Sequence, residues 1–303
     1  MTRQILDAHV HWRDPITNRY EALSDAIDEG GNASGAAARY LPEDYRNDAS
    51  GYDIVGAVHI EAEWDHGDPV GESLWLEGLA EAGDTGSLAI VGFADLTKPD
   101  IAPVLEGHTR CPRVRGIRQM LNFLPGRPAY CWASADHISN PLWQKNYASL
   151  GNYGLDFDLM CFAHQMQPMA ELIARSSDVN VHLEHTGMPW DHTEDGRYAW
   201  RQGMKALADL PNVDLKISGL GNTIEDWTTD LIRPYVLEAI EVFGVNRVAF
   251  ASNFPTDKMF SDMATIWRAF EHIVVDFSAE EQHALFVGNA ARMYRIELSE
   301  ETL

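Results

Sequence analysis

Eight short apolar runs recur along the chain, each followed by a helix-like or irregular stretch, and this alternation restricts the fold more than any other feature. The first run is Ile5-Leu6-Asp7-Ala8-His9-Val10-His11-Trp12. The others are Ile54 to Ile60, Leu88 to Leu96, Val114 to Leu121, Leu155 to Phe162, Val179 to His185, Val213 to Leu220 and Arg247 to Phe254. Several are nearly continuous in apolar residues, the pattern of parallel strands buried on both faces. Between them, segments such as Glu72–Ala82, Met166–Ser176 and Ala199–Leu210 carry helical spacing; in Thr229–Phe243 it is marked by Leu231, Tyr235, Ile240 and Phe243. Strands alternating with helices imply a parallel sheet with crossover helices. A (β/α)8 barrel needs about 250 residues, and this chain has 303. With no internal repeat, linker or shift in composition, the expectation is an α/β fold, a single TIM barrel over residues 1–303.

The first connection is long, about residues 13–52, and includes Gly30-Gly31-Asn32-Ala33-Ser34-Gly35-Ala36-Ala37-Ala38. In a barrel it falls on the C-terminal face, where it can cover a site. Composition then excludes several classes of partner. Lys and Arg total 23 against 46 Asp and Glu, a formal net charge of −23, which disfavours nucleic acid and anionic membrane surfaces. No apolar run approaches the roughly 18 residues of a membrane span. The three cysteines, Cys111, Cys131 and Cys161, have no disulfide or zinc-ligand spacing. A cytoplasmic protein with a small-molecule substrate is expected, with homo-oligomerisation left open.

In such barrels chemistry stands at the C-terminal ends of the strands. His9 and His11, two residues apart, share one strand face with Asp7. Strand 2 ends in His59-Ile60-Glu61-Ala62-Glu63, whose carboxylates also fit a plain solvated exit. Strand 4 lies among Arg110, Arg113, Arg115, Arg118 and Arg127, a cluster in an acidic chain that predicts a positive pocket. Arg118, deepest in the strand, is the expected bidentate anchor for a carboxylate. Strand 5 ends at His164. In strand 6, alternation places His185 with Val181 and Leu183 toward the barrel interior and His182 toward the helices. The remaining histidines, His108 among them, fall in loops or helices. Four imidazoles, His9, His11, His164 and His185, gathered at one rim suit a borderline divalent metal such as Zn²⁺.

The segments Asp7-Ala8-His9-Val10-His11-Trp12, Val114-Arg115-Gly116-Ile117-Arg118-Gln119, Leu183-Glu184-His185-Thr186-Gly187, Lys216-Ile217-Ser218-Gly219-Leu220 and Ser252-Asn253-Phe254-Pro255 together resemble the amidohydrolase superfamily. The resemblance is to the branch of TIM-barrel hydrolases that includes lactonases for sugar lactones and for 2-pyrone-4,6-dicarboxylate. It implies that His9 and His11 line the site with His185 beside them and that Arg118 is a candidate for a substrate carboxylate; Glu61 and Trp12, at the same strand ends, are expected to contact substrate, and His9, His11 and His185 to be the ligands if a metal is used. The branch also includes members that work without metal. One position departs: Asn253 stands where the family's strand-8 motif has Asp. An amide takes no proton at neutral pH and is a weaker metal ligand, so either the base is elsewhere, with Asp257, His164 and Glu61 as candidates, or the activity differs. The leading expectation is a hydrolase opening a lactone or similar cyclic ester of a small carboxylated or polyhydroxylated substrate. The alternatives are a metal-dependent decarboxylase of the same superfamily and a ligand-binding barrel without activity.

Overall fold

The computed structural model describes residues 2–20, 38–82 and 87–298. Eight strands form one parallel sheet in chain order: β1 (Gln4–Val10), β2 (Asp53–Ile60), β3 (Ser87–Phe93), β4 (Val114–Arg118), β5 (Asp156–Leu159), β6 (Val181–Leu183), β7 (Val213–Ile217) and β8 (Val248–Phe250). The sheet closes where Val10 bridges Phe254 in parallel. There the His11 N–H donates to the Phe254 carbonyl at 2.8 Å and the Asn253 N–H to the His9 carbonyl at 2.9 Å. Asp7 reinforces the seam, accepting from the Ser252 N–H at 2.9 Å and the Tyr45 hydroxyl at 2.8 Å. The expected (β/α)8 barrel is the observed architecture.

Helix α1 (Pro42–Asp48) lies within the first connection. The crossovers are α2 (Gly71–Glu81), α3 (Ala102–Thr109), α4 (Pro141–Ser149), α5 (Ala163–Ile173), α6 (Glu194–Ala208), α7 (Thr229–Phe243) and α8 (Met263–Ile273). Polar caps start several of them: Asn140, Thr193, Thr228 and Asp262 each accept from backbone N–H groups of the first turn. The chain ends in α9 (Ala279–His283), a π-helical turn and α10 (Asn289–Met293). Phe250 packs between Phe270 and Phe286, with ring centroids 4.4 and 4.9 Å away. Residues Gly30 to Ala37, most of the small-residue stretch expected to cover the site, lie outside the described residues.

The barrel interior is charged, and this corrects the reading of strand 6. Lys216 of β7 reaches Asp158 of β5, Glu184 just after β6 and His9 of β1, an encounter possible only inside the barrel. Glu184 and His182 share a parity, so they face inward while Val181 and Leu183 face the helices. His182 lies 3.5 Å from Asp156 and 3.8 Å from Asp214, and its ring meets Tyr294 at 4.8 Å. Burial lowers the His182 pKa, but the surrounding aspartates outweigh it and the net shift is upward. Tyr294, just after α10, donates to Asp158 at 2.7 Å and plugs the N-terminal end. His108 is also buried, with Nε2 donating to the Phe93 carbonyl at 2.9 Å.

Candidate active site

His9 and His11 leave β1 toward the C-terminal rim, both buried. His11 Nδ1 lies 2.8 Å from the Ile60 carbonyl and 3.2 Å from that of Glu61. Both are acceptors, so Nδ1 carries the proton and Nε2 presents its lone pair. That nitrogen is 3.0 Å from His9 Nε2 and 3.3 Å from Asn253 Oδ1. The Asn253 amide is oriented by its NH₂ group, which donates to Asp257 at 2.8 Å. Two lone pairs, on His11 and Asn253, therefore face each other. His9 Nδ1 stands between Glu184 Oε1 at 3.4 Å and Lys216 Nζ at 3.2 Å. When it donates to Glu184, the His9 Nε2 lone pair joins the other two.

His185 enters from the turn after β6 in the left-handed region, φ 52°, an uncommon conformation for a side-chain-bearing residue and one that functional sites hold. Its ring lies 4.6 Å from that of His9, and Nδ1 is 3.0 Å from Ser218 Oγ. Gly219, at φ 61°, makes room for it: a Cβ there would come within 2.5 Å of His185 Nδ1. Ligand atoms of His9, Glu184 and His185 lie within 4.8 Å of one another.

Burial drives His9 and His11 well below the ordinary histidine pKa, assisted by Lys216 for His9 and by Arg118 for His11. Burial also brings His185 to about 4, with Arg118 and Lys216 helping and Glu184 opposing. All three imidazoles are thus neutral near pH 7, the form that binds metal or donates a single hydrogen bond. Burial favours protonation of Glu184, but Lys216 and Arg118 outweigh it and hold the carboxyl at about 2. This donor set fits a borderline divalent ion: neutral imidazoles, a fixed carboxylate and an amide oxygen with its lone pair turned inward.

Arg118 does not stand free. Its Nε donates to Glu61 Oε1 at 2.7 Å, Nη2 to the Glu61 carbonyl at 2.7 Å and Nη1 to Glu184 at 3.3 Å. Among the described residues its neighbours in sequence do not join it in one positive pocket. Arg113 pairs with Glu77, Arg115 caps the Tyr294 carbonyl and Arg127 lies over the Tyr130 ring.

A cavity of about 400 Å³ opens over this cluster, lined by His11, His185, Asn253, Glu61, Arg118 and Arg13, with Met120, Met160 and Trp132 as an apolar wall. A larger hollow of about 950 Å³, lined by Arg3, Asp53 and Glu271, contains none of the strand-end histidines. Four expected site residues do not line the cavity, of which His9 lies buried beneath it within contact of His11 and His185. His164 is exposed at the start of α5 and borders a separate depression with Phe123 and Pro168, because the strand it was expected to end stops at Leu159. Trp12, alternating away from His11, is buried against Tyr45 and His59 at 6.2 and 5.9 Å. Asp257 lies behind Asn253, fully buried, and positions the amide instead of facing substrate; burial raises its pKa to about 7. Of the three candidate bases, Glu61 alone lines the cavity. Burial raises it to about 7 against the pull of Arg118.

The expectations did not include Glu184, Lys216, Asp158 or Arg13. A signal existed for Lys216: Asp214 and Lys216 alternate inside an otherwise apolar strand, and charges on one face of a doubly buried strand must meet partners inside.

A closed eight-stranded barrel with histidines at the C-terminal ends of β1 and β6 defines a TIM-barrel hydrolase type of site. The chain belongs to the amidohydrolase family, whose family model matches residues 6–296, and it is an amidohydrolase-type enzyme. It is 42% identical to the uncharacterised protein y4mH of Sinorhizobium fredii, over 96% of this chain and 98% of that one. It is 30% identical to an L-fucono-1,5-lactonase of Burkholderia ambifaria, over 69% of this chain and 71% of that one. A crystal structure of an amidohydrolase from Burkholderia multivorans with bound zinc superposes with a TM-score of 0.78 at 23% identity, covering 98% of this chain and all of that one.

Proposed function

We propose that this enzyme opens a lactone or similar cyclic ester of a small carboxylated or polyhydroxylated substrate. The observation that carries the reading is the convergence of three neutral imidazoles, His9, His11 and His185, with Glu184 and the Asn253 oxygen beneath the 400 Å³ cavity. The lactonase relative supports the same chemistry. His9, His11 and His185, with Glu184 in reach, would hold a divalent metal, zinc being the best match to nitrogen-rich donors. Such an ion supplies Lewis-acid polarisation of the carbonyl and an acidified water.

The chain's own groups complete the site. His185 is held by Ser218: when that hydroxyl accepts from Nδ1–H, Nε2 keeps its lone pair for the ion it would help hold. Glu61 takes the proton of the attacking water. Its carboxylate is presented to the cavity by Arg118 and by the Glu63 N–H at 2.9 Å. Asp257 keeps the Asn253 oxygen turned toward the histidines. The apolar wall of Met120, Met160 and Trp132 seats the ring and limits competing water.

A panel of 1,4- and 1,5-lactones, with acid release followed by pH indicator, tests the reading; turnover of at least one member well above the spontaneous rate is expected. If the whole panel stays at the spontaneous rate while an aromatic acid releases CO₂, the lactonase reading fails. Calorimetric titration of chelator-treated protein with zinc is expected to show one site, absent in the His9→Asn/His11→Asn double variant.

A further inference from the structure

We propose that Arg13, not Arg118, receives an acidic group of the substrate, so that lactones bearing a carboxylate are preferred over neutral ones. The assignment rests on the lactonase reading for the ring and on independent observations for the acid.

Arg13 follows His11 by two residues and lines the same cavity. Its backbone is fixed, with reciprocal N–H to carbonyl bonds to Tyr40 at 2.9 Å, and its Nε donates to the Ala38 carbonyl at 3.2 Å. The residue is only 4% exposed. Among the described residues no carboxylate is within ion-pair reach, and Nη2 is buried without a hydrogen-bond partner. The carboxylate whose field reaches Arg13 is Glu72, which is beyond ion-pair distance: its Oε1 accepts from the Ala62 N–H at 3.0 Å and stands 3.2 Å from His59 Nε2, while its Oε2 is buried without a hydrogen-bond partner. A buried guanidinium without a carboxylate in contact is costly, and a bound carboxylate relieves that cost. Burial lowers the Arg13 pKa only to about 10, so it remains charged at neutral pH.

Arg118 presents the opposite case. Two carboxylates and a carbonyl already take three of its five N–H groups, so a substrate acid there would lie against Glu61 and Glu184. A chain of net charge −23 repels anions in general, which makes one cation beside His11 with no carboxylate in contact among the described residues a discriminating feature. Arg13 also contributes to keeping His11 neutral, which places its charge within electrostatic reach of the reacting centre.

The test compares calorimetric binding of 2-pyrone-4,6-dicarboxylate and its dimethyl ester to wild type, Arg13→Met and Arg13→Lys. Wild type is expected to bind the dicarboxylate at least tenfold more tightly than the ester. Arg13→Met should lose at least tenfold for the dicarboxylate and less than threefold for the ester, with Arg13→Lys between. Equal loss for both probes marks a merely structural arginine and overturns the proposal, as does no loss or no measurable binding of the dicarboxylate by wild type. Selective loss in an enzyme that opens no lactone retains the Arg13 assignment and removes the lactonase reading. Lactone turnover without acid selectivity does the reverse.

Discussion

Position 253 carries an amide where the resembling family's motif carries an acid, and the residue behind it explains how the site accommodates the change. The Asn253 amide donates to Asp257 at 2.8 Å, and burial raises that carboxyl to about 7. A second carboxylate at this distance could not ionise together with the first. Asn253→Asp is therefore expected to lower kcat/KM at least tenfold, and Asn253→Asp/Asp257→Asn, which keeps one amide–acid pair, to recover part of it. A gain in activity for the single variant would mark Asn253 as a lapsed catalytic position. Glu61 makes the second prediction at this scale. A general base acts when deprotonated, and burial raises Glu61 to about 7, so kcat/KM should rise through pH 7 and level above it. Glu61→Gln should remove that limb and cost on the order of 10²–10⁴ in kcat. A profile unchanged in Glu61→Gln would assign the base elsewhere.

Strands β6 and β7 show what periodicity conveys and where it stops. Alternation is valid only within a strand, and β6 ends at Leu183. The chain then turns, with His185 at φ 52°, so extending the period inverted the assignment: Glu184 and His182 face inward, and His185 reaches the rim from a turn. The interior pairing it concealed has energetic consequences. Lys216 is fully buried between Asp158, Glu184 and His9. Lys216→Met leaves Asp158 without its cation and Glu184 with Arg118 alone, and urea unfolding should show a loss of about 3–5 kcal/mol. A loss below about 1 kcal/mol, the range of a surface pair, would contradict the arrangement. The pH dependence has a definite sign. Glu184 is held at about 2, below its ordinary 4.5. Its contribution to stability is present above pH 4.5 and is lost as pH falls toward 2. Asp257 and Glu61, raised to about 7, act oppositely and reduce stability as pH rises from about 4 to 7. Melting curves of Glu184→Gln should therefore decline less steeply between pH 4.5 and 2 than those of wild type.

For the whole molecule, the barrel was legible because its determinants are local: eight apolar runs separated by helical spacing impose a parallel sheet, and sheet closure follows. The His9–His11 spacing was legible for the same reason. Pairings between distant strands were not. Arg118 looks like a free anchor in its own strand, and only the fold brings Glu61 and Glu184 to it; Arg13 looks like loop polarity until burial isolates it. His164 shows the converse, a histidine after an apolar run that stops too early to deliver it. Catalysis depends on imidazoles from β1 and from the turn after β6 acting together at the C-terminal rim. Acid release from L-fucono-1,5-lactone and 2-pyrone-4,6-dicarboxylate, measured for wild type and His9→Asn/His11→Asn with circular dichroism on both, tests this most directly. Turnover of at least one lactone by wild type, reduced a thousandfold or more in the double variant with an unchanged spectrum, is the expected result. A double variant that folds and retains the wild-type rate would contradict it.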